Sequence, residues 1–243
     1  MVLVLASGRE GRVVPSVLAA DFGSLAREAE ARYSAGADWL HVDVCGSGDQ
    51  CPGALTLGPQ AVAAMHAAAP LLLLDVHVAT DRLGALIDAL VAAGAGRIVL
   101  QWVACGGLEG ARTLLTAVHN AGARAGGCLS PATAVEDVFP LVHQGLVGLV
   151  DILAVPPGFG GAAFDRTVLH KVAALRTAFP LLPFIAVDGG VSRASAAACA
   201  AAGANVLIAG AAVFGSARRA TDGALPLTQG MATLLELLRE NGI

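Results

Sequence analysis

The chain has 243 residues, of which 56% are hydrophobic and only 14% are charged, and its formal net charge is −4. This acidic balance argues against a nucleic-acid surface and against a patch that binds anionic membranes. The most apolar stretch, residues 65–78, contains His66, Asp75 and His77 and is too short for a membrane helix. We therefore expect no nucleic-acid or membrane partner. So apolar a chain also predicts a homo-oligomer.

The cysteines and the N-terminal segment predict a cytoplasmic protein. Five cysteines, an odd number without a CxxC pair, are most simply reduced thiols. The N-terminal segment has no basic residue before its short apolar run, which is unlike a signal peptide. Cys45 and Cys51 flank a loop after one predicted strand, and a zinc or redox role for this pair is the alternative.

Short aliphatic runs alternate with alanine-rich segments along the chain. The runs predict strands at 13–18, 39–44, 71–78, 97–102, 124–129, 149–155, 184–188 and 205–209. Helices are expected near 22–35, 59–69, 81–93, 108–120, 134–144, 165–179, 193–202 and 226–240. This alternation predicts an α/β protein with a (β/α)8 TIM barrel, a single domain over 1–243 whose residues 1–12 form an N-terminal extension. A doubly wound open sheet is the alternative.

Two imidazoles and two carboxylates lie at the C-terminal ends of predicted strands: His41, Asp43, His77 and Asp188. The period of two along a strand points His41 and Asp43 to one side. In a barrel these strand ends meet at one mouth, whereas an open sheet would spread them. Since buried charge is costly unless it is paired or metal-bound, the set predicts one divalent transition-metal site. Its carboxylates also suit a proton-transfer pair.

Glycine-rich loops follow the last three predicted strands. Such loops let backbone N–H groups approach an anion closely, and barrels often hold phosphate after strands seven and eight. A phosphate-bearing substrate is therefore expected at the following positions: Gly158, Gly160, Gly161, Gly189, Gly190, Gly210 and Ala211.

These segments together resemble the ribulose-phosphate 3-epimerase family. The resemblance runs in register from about residue 13 to 215, in PSVLAADF (15–22), AGADWLHVDV (35–44), LDVHV (74–78), PPGFGG (156–161), VDGGVS (187–192) and AGAN-VLIAG-AAVFG (202–215). It implies a metal-dependent enzyme that inverts C3 of a ketose phosphate, D-ribulose 5-phosphate or a related sugar. His41, Asp43, His77 and Asp188 match the family's metal ligands, and Ser16 matches an active-site serine.

The resemblance also implies a mechanism. Asp43 would remove the C3 proton from one face, and Asp188 would return a proton on the other. A divalent ion (Zn²⁺, or Fe²⁺, Mn²⁺ or Co²⁺) would stabilise the enediolate. Ser16 and His77 would also contact the substrate.

Several lining positions depart from the family pattern: Gly46, Ala79, Gln101, Trp102, Val103, Ser130, Pro156 and Ala211. They predict a wider and less apolar pocket, so the substrate could instead be another phosphorylated sugar. Two further functions stay open, a non-catalytic sugar-phosphate-binding barrel and a metal-dependent lyase or decarboxylase. A Schiff-base aldolase would need a lysine at the mouth. The only lysine, Lys171, is predicted to lie on the wrong side of the barrel.

Overall fold

The computed structural model describes residues 3–4, 10–46, 51, 53–157, 163–215 and 227–240. The strands within these ranges are β1 Leu3–Val4, β2 Glu10–Pro15, β3 Trp39–Cys45, β4 Leu73–Ala79, β5 Ala95–Gln101, β6 Arg124–Leu129, β7 Leu149–Leu153, β8 Phe184–Asp188 and β9 Val206–Ala209. The α-helices are α1 Leu25–Ser34, α2 Pro59–Ala68, α3 Leu83–Ala92, α4 Leu108–Asn120, α5 Phe139–His143, α6 Leu169–Ala178, α7 Arg193–Ala202, α8 Ala211–Phe214 and α9 Leu227–Glu240.

Strands β2 to β9 form a parallel barrel. Each strand from β3 to β8 pairs with the next along the chain, and β2 pairs with β9. One parallel bridge between Ser16 and His41 brings β2 against β3 and closes the ring. The predicted (β/α)8 architecture is therefore confirmed. The first barrel strand begins at Glu10, three residues earlier than predicted, and β1 pairs with it antiparallel.

Three predicted helices begin later than the sequence pattern indicated, each after a short 3-10 segment. The helix expected at 22–35 starts with Phe22–Ser24, because the Asp21 side chain accepts a hydrogen bond from the Gly23 N–H and holds a tight turn. The helices expected at 134–144 and 165–179 start with Val135–Val138 and Arg166–Val168. In the described part of the chain no helix has the length and hydropathy needed to cross a bilayer.

The barrel strands bury both faces. Outward-facing side chains such as Leu40 and Val42 pack in the large core between strands and helices, while inward-facing Trp39 belongs to a separate cluster inside the barrel. The same alternation turns His41 and Asp43 inward. The interior therefore has Trp39 at its lower end and the ionisable side chains of His41 and Asp43 toward its mouth.

Stacked cationic and aromatic groups fill the lower end of the barrel. The Trp39 and Phe184 rings meet edge to face with centroids 4.8 Å apart. The guanidinium carbons of Arg12 and Arg97 lie 4.7 and 4.1 Å from the centre of the Trp39 ring. Arg97 is buried and also reaches upward, where its Nη1 donates to Asp75 Oδ1 at 3.4 Å.

Replacing Arg97 by Met should lower the free energy of unfolding by about 3 kcal/mol, because it leaves the buried Asp75 carboxylate without its cationic partner. Guanidinium denaturation at neutral pH measures the loss. The matched control is Arg112→Met, since Arg112 forms a half-exposed pair with Glu109 at 3.6 Å. The control should change stability by less than about 0.5 kcal/mol. Equal effects of the two substitutions would contradict a structural role for the buried pair.

Candidate active site

Three of the predicted metal ligands meet at the mouth of the barrel. One ligand atom from each of His41, Asp43 and His77 lies within 4.8 Å of the others. Asp43 Oδ1 is 3.4 Å from His41 Nε2 and 3.2 Å from His77 Nδ1. Asp188, at the end of β8, approaches the same imidazole, with its Oδ2 3.8 Å from His41 Nε2. His41, Asp43 and His77 thus form one cluster, and Asp188 lies beside it through its approach to His41.

The orientation of the His41 ring is fixed from below. Its Nδ1 lies 3.0 Å from Asp75 Oδ2, and Asp75 is held in turn by Arg97. A carboxylate can only accept a hydrogen bond, so the Nδ1–H of neutral His41 donates to Asp75. The lone pair of this ring therefore lies on Nε2. That atom is buried and makes no hydrogen bond within the described residues, although it faces the oxygens of Asp43 and Asp188.

The His77 ring is fixed from the side. Its Nε2 lies 2.9 Å from Gln101 Oε1, and Gln101 Nε2 donates to Ser130 Oγ at 2.7 Å. In this arrangement the Nε2–H of the neutral ring donates a hydrogen bond to the amide oxygen. The lone pair on Nδ1 then points toward Asp43. Two acceptors 3.2 Å apart attract each other only with a proton or a metal cation between them.

The charges around the site favour a cation. Burial alone would lower the pKa of His41, but the carboxylates of Asp43, Asp75 and Asp188 raise it well above its ordinary value. Burial would raise the pKa of Asp43, but His41 and His77 keep it low. Burial, together with the charge of Asp43, raises the pKa of Asp188 to about 6.

These observations fit a divalent metal ion. His41 Nε2 is buried and makes no hydrogen bond within the described residues, and the His77 Nδ1 lone pair faces an Asp43 oxygen. Both nitrogens are thus acceptors that face no donor among those residues. Two neutral imidazoles with carboxylates form a donor set that suits Zn²⁺, Fe²⁺, Mn²⁺ or Co²⁺. The residues present therefore match the predicted cofactor class.

Ser16 directly follows β2, the strand that closes the ring, and its side chain enters the site. Its hydroxyl donates to Asp43 Oδ2 at 3.1 Å, and both side chains are buried. The other Asp43 oxygen faces the two imidazoles. The carboxylate is thereby restrained on both oxygens.

The glycine positions after β8 and β9 line one end of the same cleft: Gly189, Gly190, Gly210 and Ala211. Gly189 and Gly190 have φ values of +91° and +67°, which only glycine adopts readily. The Gly189 N–H already donates to Asp188 Oδ1 at 2.7 Å. In this structure the Gly189 N–H is thus engaged by Asp188, and its role as an anion donor stays a prediction. The remaining predicted positions, Gly158, Gly160 and Gly161, lie outside the described residues.

The departures from the family pattern predict a wider pocket at Ala79, but the structure shows no widening there. Ala79 is fully buried and is absent from the described lining of the cleft. It packs with Cys45, Cys51 and Ala54 in a small cluster, so a neighbouring segment fills the space beside the alanine. Both cysteines are free thiols.

The position of Lys171 was predicted incorrectly, although its exclusion as a nucleophile holds. Its ammonium lies on the mouth side, where it donates to the carbonyls of Ser130, Pro131 and Thr133 in the loop after β6. The side chain is buried, and its three N–H bonds are all used. A Schiff-base nucleophile needs a free neutral amine, which this lysine does not offer.

Asp151 is a buried acid that sequence reasoning missed. It lies inside the barrel on β7, where Cys128 Sγ donates to its Oδ2 at 3.6 Å. Burial and the charge of Asp188 raise the pKa of Asp151 to about 7. The only signal in the sequence was its inward register between Leu149 and Leu153 in a strand of alternating faces.

Replacing His77 by Ala should lower the metal content of the purified protein well below about one ion per chain, because it removes one ligand of the cluster. Inductively coupled plasma mass spectrometry measures the content. The control is His119→Ala, since His119 is exposed, far from the site in the fold, and bonds the Leu146 carbonyl at 3.0 Å. Stoichiometric metal in the His77 variant would remove this residue from the ligand set.

Comparison with known proteins identifies the family of the chain. The sequence model of the ribulose-phosphate 3 epimerase family matches residues 12–214. The cytoplasmic isoform of ribulose-phosphate 3-epimerase from Oryza sativa subsp. japonica is 36% identical over 220 residues, which cover 88% of this chain and 91% of the relative. The Rhodobacter capsulatus enzyme is 38% identical (85% and 87% covered) and the Bacillus subtilis enzyme 37% (86% and 94% covered).

Solved structures at lower identity share the fold. KGPDC from Streptococcus mutans is 11% identical with a TM-score of 0.67, and the match covers 95% of this chain and 98% of that chain. Mycobacterium tuberculosis tryptophan synthase is 19% identical with a TM-score of 0.65, with 96% and 94% covered. The fold is thus common to several activities, whereas the family match spans most of the chain. The chain belongs to the ribulose-phosphate 3-epimerase family.

Proposed function

We propose that this chain interconverts D-ribulose 5-phosphate and D-xylulose 5-phosphate by inverting the configuration at C3. The observation that carries the proposal is the pair of carboxylates, Asp43 from β3 and Asp188 from β8, which approach His41 Nε2 at 3.4 and 3.8 Å. Both line the cleft. Inversion requires a base on one face of the carbon and an acid on the other, and two acids from separate strands supply them.

The environments of Asp43 and Asp188 favour different protonation states, and the reaction needs one carboxylate and one carboxylic acid. Asp43 is held as an anion by the imidazoles and by the Ser16 hydroxyl, so it is the base that removes the C3 proton of ribulose 5-phosphate. The pKa of Asp188 is raised to about 6, mainly by burial, so this carboxyl carries a proton more readily. Asp188 is therefore the acid that returns a proton to the opposite face. In the reverse direction the two exchange roles.

His41, Asp43, His77 and Asp188 would hold the divalent ion. When bound, it supplies Lewis acidity that polarises the substrate carbonyl and makes the C3 proton more acidic. The protein's own contribution is to orient its ligands. Asp75 turns His41 Nε2 toward the site, and Gln101 turns His77 Nδ1 toward Asp43.

The substrate phosphate would lie at the glycine-lined end of the cleft. The N–H groups of Ala211 and Ala212 open α8, and in the described part of the chain they have no backbone acceptor. At Gly210 the chain passes close to the segment after β2, because a Cβ there would lie 3.1 Å from the Ala19 methyl group. This end of the cleft thus offers backbone donors at close range to an anion.

The cellular setting and assembly are also proposals. The rice relative is named a cytoplasmic isoform, which supports a cytoplasmic location for this chain. Exposed apolar side chains, such as Leu71 (79% exposed) and Leu181 (94% exposed), support a homo-oligomer.

Replacing Asp43 by Asn should slow deuterium wash-in at C3 of ribulose 5-phosphate in heavy water by about 100- to 10,000-fold, because the base is lost. Proton NMR follows the exchange. Asp88→Asn, an exposed position on α3, is the control and should keep the wild-type rate. If the Asp43→Asn variant retains more than about a tenth of the wild-type rate, Asp43 is not the base.

The partner variant Asp188→Asn separates exchange from inversion. With Asp43 intact, ribulose 5-phosphate should still exchange its C3 hydrogen, but almost no xylulose 5-phosphate should form, since the acid for the other face is gone. Equal losses of exchange and product would contradict the two-face assignment. A wild-type protein that exchanges no hydrogen in any pentulose phosphate would be a binding protein rather than an epimerase.

Replacing Ala211 by Asp should raise KM for ribulose 5-phosphate by about tenfold or more with little change in kcat, because a carboxylate would repel the phosphate. Steady-state kinetics with ribulose 5-phosphate and with unphosphorylated ribulose measure the effect. Ala85→Asp, on the exposed face of α3, controls for the added charge. If KM for the two sugars rises equally, the phosphate does not bind at this end.

A further inference from the structure

We propose that Gln101 is a positioning residue that fixes the ring of His77 so that Nδ1, and not Nε2, faces the metal site. The inference rests on the proposed function only in taking His77 as a ligand of the divalent ion. Gln101 is one of the positions at which the chain departs from the family pattern, so this role belongs to the chain's own residues.

The contact between Gln101 and His77 is direct and buried. Gln101 ends β5, is fully buried, and has its Oε1 2.9 Å from His77 Nε2. His77 is 2% exposed. A buried amide oxygen needs a donor, and the Nε2–H of His77 supplies it.

Ser130 contacts the other end of the amide. Gln101 Nε2 donates to Ser130 Oγ at 2.7 Å, so the amide nitrogen points away from the imidazole and the oxygen toward it. A flipped amide would donate to His77 Nε2, force the ring proton onto Nδ1, and direct an N–H at Asp43. That tautomer has no lone pair for a cation beside Asp43.

Lys171 holds Ser130. Its ammonium donates to the carbonyls of Ser130, Pro131 and Thr133 at 3.0, 2.5 and 2.6 Å. The loop after β6 is thereby fixed by the only lysine of the chain. A continuous series of contacts therefore runs from Lys171 through Ser130 and Gln101 to His77.

The two imidazoles of the site have unlike supports. His41 is oriented by the Asp75 carboxylate, whereas His77 is oriented by a neutral amide. An anionic acceptor makes a ligating imidazole more basic than a neutral one does. Position 101 should therefore tune metal affinity in a graded way, with Glu at least as strong as Gln and Met weakest.

The test compares Gln101→Met, which keeps the side-chain length but removes the acceptor, with Gln101→Glu, which keeps it. Cobalt(II) titration of the metal-free protein should give a dissociation constant about 10- to 100-fold higher for Met than for wild type, and wild-type or tighter binding for Glu. Gln144→Met, an exposed position after α5, is the matched control and should bind like wild type.

Nitrogen-15 NMR of the His77 ring at alkaline pH, where the metal-free imidazole is neutral, supplies a readout that a merely structural role would not move. Wild type and Gln101→Glu should show the Nε2–H form, and Gln101→Met a mixture of tautomers. If the Met variant fails to fold, Ser130→Ala replaces it and should shift both readouts in the same direction. Wild-type affinity and an unchanged tautomer in a folded variant would overturn the proposal. Neither readout uses a sugar, so failure of the epimerase activity would be a separate result.

Discussion

The constraint on which the site depends is the burial of His41, Asp43 and His77, with the partly buried Asp188 beside them, in the mouth of an apolar barrel. His41 and Asp43 must point inward because the strand alternates and Leu40 and Val42 take the outward face. Desolvation of so many ionisable groups is unfavourable unless they compensate one another. Mutual pairing and external orienting partners meet part of that requirement, and the proposed cation between the lone pairs would meet the rest.

Two parts of the barrel support the site. Below it, Arg97 links the aromatic end of the barrel to Asp75 and so to His41. To the side, the loop after β6 reaches His77 through Gln101. Since each imidazole is held by a neighbour from the protein itself, the geometry does not depend on the sugar. Such preorganisation is what electrostatic catalysis requires.

The strand ends and their polar residues could be predicted from the sequence because both follow from local rules. Alternation along a strand indicates which side chains share a face, and a barrel brings strand ends together. The partners of those residues could not be predicted this way. The contact of Gln101 with His77 joins β5 to β4 across a specific register, and the link from Lys171 to Ser130 depends on how α6 packs.

The other differences between the sequence predictions and the structure also arise from packing and local turns. Ala79 suggested space, but space depends on what packs beside it, and Cys51 and Ala54 come from a distant segment. Asp151 looked like an ordinary strand residue, although the barrel buries it completely. Three helices start one 3-10 turn late because capping side chains or tight turns decide a helix start more finely than periodicity does.

The central claim is that one divalent ion is shared by residues from β3, β4 and β8. Anomalous diffraction at the cobalt edge, from crystals of protein loaded with one equivalent of cobalt(II), tests it most directly. The account predicts a single peak within about 2.0–2.2 Å of His41 Nε2, His77 Nδ1 and oxygens of Asp43 and Asp188. A peak elsewhere, or a peak that contacts only one of these side chains, would contradict it.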